Sequence, residues 1–181
     1  MRLIDRFMPA YQFSETHFRR VAAPPASVLA AAIAYRAEED RLFRIMIGLR
    51  ELPARLLNSR VARREAFGLH RFTLLARTEG EVVFGLIGRF WRPDFGLVPI
   101  ADDAAFLGDA AGDAAKLTVT FWTRPEPDGR TRLVTETRVF CPSRSTHLKF
   151  TPYWYGIRPV SGLLRRRMLA TIARACEQSR S

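Results

Sequence analysis

The residues with the most distinctive chemistry are two neighbouring charges and two tryptophans on segments with strand-like patterns. Glu136 and Arg138 are two positions apart, so both side chains point to the same face of an extended strand. Arg89, Trp91 and Trp122 fall on the corresponding face of other segments. A few placed charges among large aromatic rings are typical of cavities that bind small molecules. These five residues are therefore the first candidates for a ligand site.

Alternation along the strands leaves three interpretations open. In the simplest, an apolar face forms the core and a mixed face meets solvent, where an ion pair from Glu136 to Arg89 or Arg138 contributes little. In the second, the mixed face lines a cavity, and the same pair is buried. A buried pair is costly unless its geometry is good, so it would indicate a function. The third is a slipped register or a bulge. The apolar set is Val82, Phe84, Leu86, Phe90, Leu117, Val119, Phe121, Leu133 and Val139. The mixed set is Val83, Ile87, Arg89, Trp91, Thr118, Thr120, Trp122, Val134, Glu136, Arg138 and Phe140.

The sequence lacks the common patterns of catalytic and metal sites. None of His17, His70 and His147 has a partner at metal-ligand spacing, and each is interpreted as an ordinary surface or packing residue. The sequence contains no Gly-x-Ser-x-Gly elbow, Walker loop or dinucleotide fingerprint. We therefore expect no metal and no cofactor, and catalytic residues stay unassigned.

Composition limits the class of protein. A chain of 181 residues, 48% of them apolar, fits a single domain over residues 1–181. No apolar run is long enough to span a membrane, and the first residues do not form a secretory signal. Cys141 and Cys176 lack neighbours for a zinc site or a disulfide framework, which favours a reducing, cytoplasmic location. The net charge of +11 does not indicate nucleic-acid binding, because the arginines are spread along the chain.

The longest predicted element is a helix from Ser143 to Gln178. Its apolar residues recur every three or four positions and form one stripe. Pro159 inside the pattern predicts a kink near Arg158. The aromatic half of the stripe consists of Phe150, Tyr153, Trp154 and Ile157. The other side of the helix carries Lys149, Arg158, Arg165, Arg166 and Arg174.

The remaining patterns predict a strand–helices–strands order before this helix. A strand is expected over residues 11–21, with Phe13, Glu15, His17, Arg19 and Val21 on one face. Helices are expected at residues 26–36, 38–51 and 54–69, followed by strands at 72–78, 81–91, 115–123 and 132–141. Residues 95–100 suggest a short strand and residues 102–108 one helical turn. The prediction is an α+β fold, a curved antiparallel sheet wrapped around the C-terminal helix.

Several segments resemble a known superfamily. The segment Val21-Ala22-Ala23-Pro24-Pro25-Ala26-Ser27-Val28 resembles the opening of SRPBCC (START-like, helix-grip) domains. Gly88-Arg89-Phe90-Trp91-Arg92-Pro93, Thr135-Glu136-Thr137-Arg138-Val139 and Tyr153-Trp154, with Ile157-Arg158-Pro159 and Ser161-Gly162, are similar to motifs of an uncharacterised bacterial branch of it. Pro152 departs from the expected pattern near the helix start. The resemblance implies a helix-grip fold and an apolar ligand, such as a lipid or polyketide, between sheet and helix.

The expected function is therefore binding of an apolar or amphiphilic small molecule between the sheet and the C-terminal helix. The candidate ligand-binding residues are Arg89, Trp91, Trp122, Glu136, Arg138, Phe150, Tyr153, Trp154 and Ile157. One alternative is an enzyme of cyclase, dehydratase or hydrolase type that uses the same cavity. Another is a non-catalytic interaction protein, whose arginine-rich surface would bind an acidic partner or a second copy of the chain.

Overall fold

The structure is a computed structural model that describes residues 1–35, 71–108 and 112–178. The helices predicted at residues 38–51 and 54–69 lie outside these ranges, as does His70. The described helices are α1 (Leu3–Phe7), α2 (Pro25–Ala34), α3 (Asp103–Leu107) and α4 (Arg144–Gln178).

Five antiparallel strands form one sheet in the order β1-β5-β4-β3-β2. Their bounds are Phe13–Val21 for β1, Thr73–Arg77 for β2, Glu81–Gly88 for β3, Ala115–Pro125 for β4 and Thr131–Phe140 for β5. The sheet is open, with β1 and β2 at its edges, and α4 crosses one face. The predicted fold class, an α+β sheet with a long C-terminal helix, is confirmed.

The helix α4 begins one residue after the predicted start. The Ser143 hydroxyl accepts a hydrogen bond from the amide of Thr146 at 3.1 Å, which makes Ser143 the N-cap. The helix then continues through both Pro152 and Pro159 to Gln178, a length of 35 residues. Pro159 therefore does not end the helix.

Strand β3 is shorter than predicted. It ends at Gly88 rather than Trp91, because the chain turns there and folds back along the strand. The carbonyl oxygen of Phe95 lies 2.8 Å from the position that a Cβ would take at Gly88, so only glycine fits this approach. Instead of the short strand expected at residues 95–100, the described structure has a single bridge between Val98 and Ile87.

The apolar set of strand residues lies on the face that α2 and α4 cover, and its packing divides into two clusters. The aliphatic cluster, toward the C-terminal end of α4, includes Val21, Val82, Val119, Phe121, Leu133, Met168, Leu169 and Ile172. The aromatic cluster, toward the N-terminal end, includes Phe13, Leu86, Phe90, Val139, Cys141, Phe150 and Trp154. Burial raises the pKa of the Cys141 thiol to about 11, in keeping with its role as a small core residue.

The opposite face of the sheet, here called the outer face, is covered as well. The helix α1 lies over β3 and β4, and α3 lies over β2 and β3. Consequently Glu136 and Arg138 are only 6% and 7% exposed. Of the three interpretations, the one in which the mixed set of strand residues meets solvent is therefore wrong, and the pair of Glu136 and Arg138 is buried as the second one expected. The short helix α1 was not predicted, and it removes this face from water.

Buried charges on the outer face pair with residues of the N-terminal segment. The Arg138 guanidinium donates to the Glu136 carboxylate at 2.6 Å, to the Asp5 carboxylate at 2.8 Å and to the carbonyl of Met8 at 3.0 Å. The other Glu136 oxygen accepts from the Arg2 guanidinium at 2.5 Å. The geometry of these bonds offsets the cost of burying the charges. We call these four charged side chains, together with Glu81, the outer-face network.

Glu81 fixes the start of α1 on the sheet. Its carboxylate accepts from the amides of Leu3 at 2.7 Å and Ile4 at 3.3 Å, and from the Thr120 hydroxyl at 3.0 Å. Amide groups in the first turn of a helix lack partners within the helix, so a carboxylate there satisfies them. The outer-face network therefore positions α1.

The pKa shifts of Asp5 and Arg138 indicate that the two charges stabilise each other. The hydrogen bond from Arg138 lowers the pKa of Asp5 against the opposing effect of desolvation. Burial lowers the pKa of Arg138, but hydrogen bonds to Glu136 and Asp5 outweigh it, so the pKa is raised overall. These hydrogen bonds thus favour the cationic form of Arg138.

Replacing Arg138 with methionine tests this structural role. We expect Arg138→Met to reduce the free energy of unfolding by about 3–5 kcal/mol, because Glu136 stays buried without one of its two cationic partners. The matched control is Arg130→Met, since Arg130 is exposed and its ion pair with Asp128 is 4.0 Å long. That change should cost less than about 1 kcal/mol. Urea unfolding followed by circular dichroism measures both, and equal losses for the two variants would contradict the assignment.

Candidate functional site

A group of polar side chains lies between α4 and the sheet, at the edge strand β1 and its neighbour β5. Glu15 and His17 come from β1, Thr135 and Thr137 from β5, and Arg165 from α4. We call these five residues the interior polar cluster. Glu15 and Thr137 are 9% and 4% exposed, and Thr135 is fully buried.

The strand register places the four strand residues side by side. Glu15 is paired with Thr137, and His17 with Thr135, across the β1–β5 ladder. Because alternate residues of a strand share a face, all four lie on the side of Phe13 and α4. Each pair therefore forms one row, and the two rows are neighbours.

The interior polar cluster interrupts an otherwise apolar interface. On β1 it lies between Phe13 of the aromatic cluster and Val21 of the aliphatic cluster, and on β5 it lies between Val139 and Leu133. Polar groups are costly to bury in such a place unless they find partners. Their hydrogen bonds therefore decide whether the cluster is structural.

Glu15 and His17 form a close polar contact within the cluster. Their Oε1 and Nε2 atoms are 2.8 Å apart. Gly162 of α4 lies directly above this pair. A Cβ there would be 3.1 Å from Glu15 Oε1 and 3.6 Å from His17 Cε1. The absence of a side chain at Gly162 thus allows the helix backbone to approach the pair closely.

Arg165 has a weaker set of partners than Glu15 has. Its guanidinium donates to the Thr135 hydroxyl at 2.8 Å, and the structure shows no ion pair between Arg165 and any described carboxylate. Burial lowers the pKa of Arg165 to about 10, while the charge of Glu15 acts in the opposite direction without restoring it. The cation is therefore only partly compensated by its surroundings.

Within the interior polar cluster, Thr137 is the group without a hydrogen-bond partner. Its hydroxyl oxygen is buried and has no hydrogen-bond partner in the part of the chain that the structure describes. A buried hydroxyl without a partner costs about 1–3 kcal/mol. Such an atom in an otherwise apolar interface marks a place where a further polar group would be stabilising.

The arrangement has two chemical capacities. Arg165 and the two threonine hydroxyls are donors that could hold an oxygen-rich group. A carboxylate that orients an imidazole, as Glu15 does for His17, is a common arrangement for proton transfer. The described residues contain no group of three or more His, Cys, Asp or Glu side chains suited to a metal ion.

The residues predicted for the ligand site do not lie together. Glu136, Arg138 and Trp122 are on the outer face, where the Arg2 guanidinium lies 4.9 Å from the Trp122 ring centroid. Arg89 is half-buried and binds Asp113 at 2.5 Å, a hydrogen bond that lowers the pKa of Asp113. These four residues are thus separated from α4 or occupied by ion pairs.

The aromatic members of the predicted site do lie between the sheet and α4. Phe150 contacts Trp91 with ring centroids 6.5 Å apart, Tyr153 at 5.5 Å and Trp154 at 6.0 Å. Tyr153 and Ile157 are half-buried, whereas Phe150 and Trp154 are buried. Trp91 and Tyr153 therefore pack against the aromatic cluster that contains Phe150 and Trp154, and Ile157 follows one turn later on α4.

Sequence reasoning did not assign the interior polar cluster to the site. The signal was present in β1, where Glu15 and His17 share a face with Phe13 and Val21. Arg165 was assigned to the polar side of the helix because it falls outside the stripe of apolar residues. Only Arg165 of this run turns toward β5, so its role depends on the rotation of α4 over the sheet.

Comparisons with known proteins add little. No family model matches the chain, and no curated protein matches it significantly. One solved structure, the crystal structure of TTHA0849 from Thermus thermophilus, is 12% identical, and the match covers 92% of this chain and 95% of that one. Its TM-score of 0.29 is too low to support any argument.

Membrane insertion through α4 is also unsupported. In the ranges that the structure covers, no helix combines the length and the apolar character needed to cross a bilayer. The buried stripe of α4 instead packs on the sheet.

Two glycines of α4 offer a test of the close approach at the interior polar cluster. Gly156 is exposed and has nothing within 4 Å of an added Cβ, so Gly156→Ala should raise the free energy of unfolding by about 0.5–1 kcal/mol. Gly162→Ala should not show this gain, because its Cβ would press on Glu15 Oε1. Chemical unfolding of both variants provides the measurement, and an equal gain at both positions would show that α4 lies farther from β1.

Proposed function

We propose that the protein binds an apolar or amphiphilic small molecule between the sheet and α4. The observation that carries this proposal is the interior polar cluster, with its partnerless Thr137 hydroxyl among the described residues, set between the aliphatic and aromatic clusters. An amphiphile suits this arrangement. Its polar group would contact the interior polar cluster, and its apolar part would contact the apolar side chains beside it. The sequence resemblance to helix-grip domains supports the same location.

The aromatic cluster is the proposed surface for the apolar part of the ligand. The rings of Phe13, Phe150 and Trp154 are in mutual contact, with centroids 5.1 to 6.0 Å apart. Half-buried Tyr153 and Ile157 extend this surface toward Gly162. Of the residues predicted from sequence, Trp91, Phe150, Tyr153, Trp154 and Ile157 therefore stay in the proposal.

Glu136, Arg138, Trp122 and Arg89 do not contribute to the site as now proposed. Their positions on the outer face or in ion pairs suit structural roles. Glu15 and Arg165 take the place of the predicted charge pair. A cytoplasmic location and a lipid partner remain predictions from the sequence.

A fluorescent apolar probe tests the proposal. Neutral N-phenyl-1-naphthylamine should bind the wild-type protein with increased emission. Ile157→Trp should weaken binding by about tenfold or more, because overfilling a packed apolar site costs roughly 1–3 kcal/mol. The control is Tyr155→Trp, since Tyr155 is 63% exposed on the same helix. Absence of probe binding to the folded wild type, or equal affinities of the two variants, would refute the proposal.

The Glu15–His17 pair supports an enzyme as the second candidate. Its 2.8 Å separation suits a general base, whereas Glu136 is held by two arginines. Molecules extracted from purified wild-type protein and from His17→Gln would distinguish the two functions by mass spectrometry. A binding protein should release the same compound in both cases. An enzyme should release compounds that differ by a simple chemical step, such as loss of water.

A further inference from the structure

We infer that the ligand carries an anionic head group of the carboxylate type and that Arg165 is its anchor, supported by Thr135 and Thr137. This inference rests on the proposed function and names the chemical class of ligand for that site. It assigns the head group to the interior polar cluster rather than to the outer-face network.

The first argument compares Arg165 with other arginines that are partly or fully withdrawn from solvent. Arg2 and Arg138 both contact Glu136, and Arg89 contacts Asp113. Among described groups, the only hydrogen-bond partner of Arg165 is the neutral hydroxyl of Thr135. A guanidinium has five N–H donors in a planar fork that matches a carboxylate. Arg165 therefore has N–H donors that no described carboxylate engages.

The second argument concerns the threonines. The Thr135 oxygen accepts from Arg165, so its own O–H remains available to donate. The Thr137 hydroxyl is buried and has no partner among the described residues. The cluster thus offers one guanidinium and two hydroxyl donors without matching acceptors. A carboxylate is a pure acceptor when ionised and fits such a set better than an alcohol, an amide or an amine.

Glu15 is not the acceptor for the donors of Arg165, Thr135 and Thr137. Its Oε1 atom is bound to His17, and no ion pair within 4.0 Å joins it to Arg165. Its charge acts on Arg165 only at longer range, and burial still lowers the pKa of Arg165 to about 10. The Glu15 carboxylate is therefore engaged by His17. The donors of Arg165, Thr135 and Thr137 remain for the ligand.

Matched ligands and variants test the inference. Decanoate and decanamide have the same chain and nearly the same shape, but only decanoate is anionic at neutral pH. Displacement of N-phenyl-1-naphthylamine should show decanoate binding to wild type about 10- to 100-fold more tightly, the range expected for a charge-assisted hydrogen bond. Arg165→Met should remove this preference. Arg166→Met, at an exposed neighbouring position, should keep it.

The outcomes separate the two levels of the proposal. If the probe binds and both ligands displace it equally, the anionic head group is refuted and the binding function stands. If the preference for decanoate survives in Arg165→Met, Arg165 is not the anchor. If the probe does not bind the folded protein, the proposed function itself fails.

Thr137→Val supplies a second readout that a structural role would not give. Valine has nearly the same shape but lacks the buried hydroxyl. The variant should unfold at the same or a higher urea concentration than wild type, while its affinity for decanoate falls several-fold relative to decanamide. A loss of stability with no change in the ligand preference would overturn the role of Thr137.

Discussion

Burial of both faces of the sheet is the constraint on which the rest of the structure depends. The helices α2 and α4 cover one face, and α1 and α3 cover the other. A strand residue of either parity in β5 therefore loses contact with water, and every charge there requires a protein partner. On one face Glu15 binds His17 and Arg165 binds only the Thr135 hydroxyl, whereas on the other face Glu136 and Arg138 bind each other.

The two charged groups differ in how far they are satisfied. In the outer-face network, Glu136 binds two arginines and Glu81 binds two amides and a hydroxyl. In the interior polar cluster, Arg165 has one neutral partner and the Thr137 hydroxyl has none among the described residues. The carboxylates of the outer-face network are engaged by arginines, amides or a hydroxyl, although Nε and Nη2 of Arg2 have no hydrogen-bond partner among the described residues. The interior polar cluster differs because its unpaired hydroxyl lies in an apolar interface, beside an arginine that no described carboxylate binds. This difference is the basis for placing the ligand beside α4.

The fold was predictable because long elements have strong periodic signals. The stripe of α4, from Phe150 through Ala175, and the alternation of β4 and β5 determined the α+β class. The site was not predictable, because alternation shows which residues share a face but not what covers that face. The five-residue helix α1 has too short a pattern to recognise, yet it buries Glu136 and Arg138. The rotation of α4, which turns Arg165 rather than Arg166 toward Thr135, is likewise set by packing along its whole length.

Threonine methyl resonances give the most direct test of the central claim, that a ligand binds on the α4 side of the sheet. Thr135 and Thr137 face α4, while Thr118 and Thr120 of the neighbouring strand contact Met8 and Glu81 on the outer face. On titration with decanoate, the methyl signals of Thr135 and Thr137 should shift and those of Thr118 and Thr120 should not. Shifts confined to Thr118 and Thr120 would place the ligand under α1 and contradict the claim.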